Sequence, residues 1–89
     1  MATLYNTNGE VTSVEIGEDH LKSYYDLIGC EMVEAITIDE DTVLLVDEES
    51  RLKQDQQINL RATEYVRKYF NMDCIIGNAL LVTVPDEFN

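Results

Sequence analysis

Carboxylates are the chemically rich side chains of this sequence, and six of them stand in two knots, Asp39-Glu40-Asp41 and Asp47-Glu48-Glu49. Between the knots runs Thr42-Val43-Leu44-Leu45-Val46, which is β-branched and apolar. Clustered carboxylates can hold a hard cation, exchange protons with a substrate, or meet a basic surface. The first use fits poorly. A calcium loop needs ligands at alternating positions around a central glycine, whereas Asp39-Glu40-Asp41 passes straight into apolar residues. The second use needs a reactive neighbour, and few are available. His20 is the only histidine, placed in the first turn of an expected helix with a solvated side chain, so triads and zinc centres lack material. Cys30 and Cys74 fit neither a metal spacing nor a disulfide framework. In apolar surroundings without flanking bases they read as reduced, inert core thiols. Gly77-Asn78 is no phosphate loop, because neither a lysine nor a helix start follows it. No catalytic residue, metal site or cofactor is expected, and an enzyme is the least favoured class.

The third use has electrostatic support. The formal charge is −12, from eighteen acids and six bases. Residues 1–50 hold thirteen acids against a single base, Lys22, a balance of −12, while residues 51–89 hold five of each. Such a field repels nucleic acid and attracts basic surfaces, including those that normally bind DNA. The predicted partner-binding set is therefore Glu31, Glu34, Asp39, Glu40, Asp41, Asp47, Glu48 and Glu49. Carboxylates spaced like phosphates would occupy the basic groove of a nuclease or another nucleic-acid-handling complex, with salt-sensitive association. The plainer reading is that a small acidic protein is simply soluble. A rival reading is a binder of a small ligand such as a nucleotide second messenger, with or without homodimer formation. It would use Arg51, Lys53, Asn59 and Arg61, of which Arg61 lies in a helix's first turn near backbone N–H donors. A third is an accessory domain with no activity of its own.

The elements that must position these residues follow from periodicity. With 89 residues and 45% hydrophobic content, the chain makes one domain with its core over about residues 2–84. Residues 2–16 read as a hairpin around Asn8-Gly9, the signal of a type I′ turn. Thr12, Val14 and Ile16 share one face. A helix follows, capped by Asp19, with Leu21, Tyr24, Tyr25 and Ile28 as its apolar stripe and Gly29 as its end. Residues 31–38 and 42–47 read as strands joined by the acidic turn at 39–41. Arg51-Leu52-Lys53 reads as a short edge piece and residues 54–57 as a polar connection. A second helix is expected from Asn59 to Phe70 or Asn71, burying Ala62, Val66, Tyr69 and Phe70 with Tyr65 at the margin. A last, central strand is expected over 74–84 with a bulge at Gly77, and Pro85 begins a frayed tail over 85–89. The order β-β-α-β-β-(β)-α-β predicts an α+β domain, a mixed, mostly antiparallel sheet with two helices on one face.

Several short stretches also occur in a characteristic order: Val46-Asp47-Glu48-Glu49-Ser50, then Ile58-Asn59-Leu60-Arg61-Ala62-Thr63, then Ile75-Ile76-Gly77-Asn78-Ala79-Leu80-Leu81-Val82. In these the chain resembles a small family of phage and mobile-element proteins, the domain of unknown function catalogued as three-eight-four-six. The resemblance covers roughly residues 9–84. It departs at Gly29-Cys30, where the family's turn looks like Gly-Gly. It brings no catalytic residues, and it implies a phage-like setting in which small acidic proteins disable host defence complexes. No basic n-region or long apolar stretch follows Met1, so a cytoplasmic protein of the bacterial host cell, without a membrane span, is expected.

Overall fold

Leu44 and Leu45 are adjacent in sequence, are both buried, and belong to different cores. Successive residues of a strand point to opposite faces, so a run that is apolar at every position must be covered on both sides. That requirement organises the molecule. The structure, a computed structural model, describes residues 2–53 and 57–83. Its elements are β1 (Ala2–Tyr5), β2 (Val11–Val14), α1 (His20–Ile28), β3 (Val33–Thr37), β4 (Thr42–Asp47), α2 (Leu60–Arg67) and β5 (Ala79–Thr83), with a 3-10 turn at Ser50–Leu52. The five strands form one sheet in the order β2-β1-β5-β4-β3, and every pairing is antiparallel.

On one face Leu4, Leu45, Leu80 and Val82 pack with Tyr24 and Ile28 of α1. On the other Leu44, Val46 and Ala79 pack with Ala62 and Val66 of α2. The α+β class is as the sequence predicts and β5 is central as expected, while the sheet, expected to be mixed and mostly antiparallel, is antiparallel throughout. The helices, however, lie on opposite faces rather than on one. Two apolar stripes per strand leave no other arrangement dry.

Local chemistry explains the remaining departures. Only Gly9 in the hairpin turn has a positive φ, 96°, so the turn cannot be type I′, which needs two such residues. Instead Gly9 N–H donates to Asn6 O at 3.0 Å and Asn6 N–H to Glu10 O at 2.9 Å, the pattern of a three-residue loop ending in a left-handed glycine. Arg51-Leu52-Lys53 is not an edge strand. Ser50–Leu52 closes as a 3-10 turn, which lets Lys53 reach back to Asp47. The helix α2 stops at Arg67, and Tyr69 and Phe70 are 52% and 38% exposed rather than buried. Thr63, not part of the expected stripe, is buried in their place.

The expected strand over 74–84 is divided. Ile76 bridges to Ile58, Gly77 N–H donates to Gln57 O at 2.8 Å, and the central strand begins only at Ala79. Gly77 has φ 85°, a conformation costly for any residue with a side chain, and it turns the chain from the bridge into β5. The readings of residues 54–56 as a connection and of the tail from Val84 onward fall outside the described residues.

Candidate functional site

The antiparallel register of β3 and β4 decides where the acids go. Val33 faces Asp47 and Thr37 faces Val43, so the turn Asp39–Asp41 lies at one end of the pair and Asp47–Glu49 at the other. Glu48 N–H donates to Met32 O at 3.0 Å, carrying the ladder one step past β4 and bringing Glu31 to the same end. Glu34 sits between, opposite Val46. Five residues of β3 at ~3.4 Å each separate the two ends by roughly 17 Å. Because β3 is an edge strand, this whole line borders the sheet.

The two knots differ in kind. Asp39, Glu40 and Asp41 are all exposed, and Asp39 Oδ1 accepts from Asp41 N–H at 2.9 Å, which shapes the turn. Glu31, Glu34 and Glu48 are exposed as well, and Glu49 is half-buried. Asp47 is the exception. Its residue is 3% exposed, its Oδ1 accepts from Glu49 N–H at 2.9 Å, and its Oδ2 accepts from Lys53 Nζ at 2.7 Å. It is thus removed from the predicted partner-binding set by burial and pairing. A strand that ends with an inward-facing carboxylate needs an internal cation, and Lys53 supplies it. The hydrogen bond to Asp47 raises the Lys53 pKa above its usual value. Burial, then the Asp47 charge, raises that of the Cys30 thiol.

The cations of the predicted ligand set do not converge, although Arg61 shares its hollow with Lys68. Arg51 donates to Cys74 O at 3.2 Å and lies 4.0 Å from Asp73. Arg67 donates to Met72 O at 3.3 Å and approaches Cys74 Sγ at 3.9 Å, so Cys74 is not without a flanking base as the sequence had implied. Lys22 pairs with Asp26 at 2.8 Å. Arg51, Lys53 and Arg61 line three different hollows, of about 280, 530 and 260 Å³. Asn59, the fourth residue of the predicted ligand set, is fully buried. Its Oδ1 accepts from Ala62 N–H at 3.0 Å, and its amide donates to Tyr5 O at 2.8 Å and Gly77 O at 2.9 Å. It joins α2 to β1 and to the segment before β5. Thr63 Oγ1 accepts from Ile75 N–H at 2.9 Å and Asn78 Oδ1 from Thr7 N–H at 3.0 Å, completing the same joint.

Tyr5, Tyr65 and Tyr69 form an aromatic row, although the sequence places Tyr69 in the core and Tyr65 at its margin. The Tyr5 and Tyr65 rings are 6.0 Å apart and the Tyr65 and Tyr69 rings 5.5 Å, with Tyr69 at the exposed end. Tyr65 is pushed up to about 12 by burial, then by Tyr69 and Tyr5, with a contribution from the Asp39 charge. The signal in the sequence was the tyrosine spacing itself; its exposed end followed from the early stop of α2. His20, expected in solvent, is half-buried with its ring 6.3 Å from that of Tyr24.

Among the described residues no group of three or more His, Cys, Asp or Glu side chains is arranged to hold a metal ion, and no helix is long and apolar enough to cross a membrane. No curated protein and no solved structure matches the chain. The model of a domain of unknown function, DUF3846, matches residues 1–89. On a match of that extent the chain belongs to the DUF3846 family.

Proposed function

We propose that this chain is a non-enzymatic binding protein that sets its acidic β3–β4 edge against a basic, nucleic-acid-binding surface of a host defence protein and blocks it. In this reading it is an anti-defence inhibitor from a phage or mobile element, acting in the cytoplasm as a partial mimic of DNA. One observation carries the reading. Glu31, Glu34, Asp39, Glu40, Asp41, Glu48 and Glu49 lie on one hairpin and its flanks, each exposed or half-buried, and none of them forms an ion pair among the described residues. The line runs past both ends of β3, so seven carboxylates over roughly 25 Å stand at about half the ~15 phosphate charges that duplex DNA carries over that length. Four of the six bases, Lys22, Arg51, Lys53 and Arg67, are engaged elsewhere. A second-messenger site has less support, because Arg51, Lys53 and Arg61 line separate hollows and the one pair of cations in a single hollow, Arg61 with Lys68, shares it with Glu64.

The test is affinity capture from bacterial lysate at low and high salt, with wild-type protein and with Asp39, Glu40, Asp41 and Glu48 all changed to Lys. Asp47 is kept, since its reversal would attack the fold. The expected result is a nucleic-acid-handling protein captured at low salt, released at high salt and lost with the reversed variant. Equal capture by the reversed protein would end the proposal.

A further inference from the structure

Glu34 faces Val46 across the β3–β4 ladder, and Glu48, whose N–H carries that ladder on to Met32 O, lines the same hollow as both. The two glutamates are therefore diagonal neighbours, about 7–8 Å apart along the backbone. Between them opens the hollow of about 280 Å³ beside the segment 72–76, with Val46, Ile36 and Met72 along its floor. It is smaller than the ~300–1,000 Å³ of drug-sized sites and suits one side chain better than a cofactor. Asp73 and Arg51 also line it, and they lie 4.0 Å apart and offset each other, so the charges of Glu34 and Glu48 are left uncompensated there.

We infer that this hollow seats a single arginine of the basic partner, its aliphatic stem on Val46, Ile36 and Met72 and its guanidinium between Glu34 and Glu48. This rests on the proposed function and names the contact that would anchor it. The chemistry selects arginine. A planar fork with five donors can serve two carboxylates on opposite sides, and its stem tolerates apolar contact, whereas an ammonium is a compact, strongly hydrated point charge. The acidic turn at 39–41 offers charge without a hollow, so it steers the partner while the Glu34–Glu48 side holds it.

The probe is a capped tetrapeptide, Gly-Arg-Arg-Gly, titrated into the isotopically labelled protein and followed by amide chemical shifts, beside its citrulline counterpart. The arginine peptide should saturate, with shifts centred on Glu34, Val46, Glu48 and Ile75, and the citrulline peptide should not. Changing Glu34→Gln and Glu48→Gln together should weaken binding roughly tenfold, while Asp39→Asn with Asp41→Asn should change it less than twofold at moderate salt. The same spectra report whether each variant is folded. No saturable binding, or equal weakening by the two double variants, would overturn the arginine seat. Lysate capture that persists and depends on the turn would then show the broader acidic reading intact, so the two failures are separable.

Discussion

Lys53 Nζ donates to Asp47 Oδ2 at 2.7 Å, and the two partners live in different settings, the aspartate side chain 2% exposed and the lysine 37%. Removing the carboxylate strands two donors, Lys53 Nζ and Glu49 N–H, of which the lysine can turn to water. Asp47→Ala is expected to lower stability by roughly 1–3 kcal/mol, and Asp47→Asn, which keeps an acceptor for Glu49, by less. Urea midpoints at constant slope measure both. Because this carboxylate is covered, Asp47→Asn should leave capture of a basic partner unchanged; a large loss of capture without loss of stability would put Asp47 back on the surface.

Asn59 predicts a steeper effect. It caps α2 through Ala62 N–H and supplies both amide protons to Tyr5 O and Gly77 O, in full burial. Loss of a cap costs about 0.5–2 kcal/mol, and each buried carbonyl left without its donor adds about 1 kcal/mol or more. Asn59→Ala should therefore cost roughly 3 kcal/mol or more, a large part of the stability of a domain this size. Asn59→Ser can keep the cap but not the two amide contacts, and should fall between wild type and Ala. Equal unfolding midpoints for Ser and wild type would mean the amide contacts contribute nothing.

Tyr65 sets an alkaline limit. Its pKa lies above the ordinary 10.0, at about 12, so its neutral form is favoured in the folded state. A group raised in this way contributes stability that is complete below the unfolded value and is lost as pH climbs through the folded one. Stability should decline between pH 10 and 12, with Lys53, whose pKa is also raised, acting in the same direction. In a tyrosinate absorbance titration the last step should fall near 12, and Tyr65→Phe should remove it and flatten the decline.

How far the sequence foretold all this depends on which interactions are local. The cap at Asp19, Tyr24 and Ile28 of the α1 stripe, the acidic turn and the central position of β5 follow from neighbours a few residues apart, and they are present, whereas Leu21 of that stripe is 50% exposed. Opposite-face packing was implied by Leu44-Leu45 and by Leu80-Leu81, apolar on both sides, but a list of elements does not say which face each helix takes. Asp47 shows the limit for the site. Within Asp47-Glu48-Glu49 nothing distinguishes the inward carboxylate from its neighbours until the pairing with Val33 assigns the faces and a 3-10 turn returns Lys53. The Asn59 joint lies further out of reach, since its partners are 54 and 18 residues away in sequence.

Tyr69 is the residue whose part in binding most needs a direct test. It stands 52% exposed at the end of the tyrosine row, beyond the last turn of α2. A large exposed aromatic is a common interface anchor, since burial of a ring slows release while charge elsewhere on the surface speeds encounter. If the acidic edge binds a partner as proposed, Tyr69→Ala should weaken capture by ~2 kcal/mol or more, about thirtyfold, mainly through faster dissociation. Its unfolding midpoint should move little, because much of the ring is already in water. Reversal of the acidic turn should instead act chiefly on the association rate and its salt dependence. Surface-based kinetics on the captured partner would separate the two, and a Tyr69→Ala variant with unchanged dissociation would confine the interface to the β3 side of the sheet.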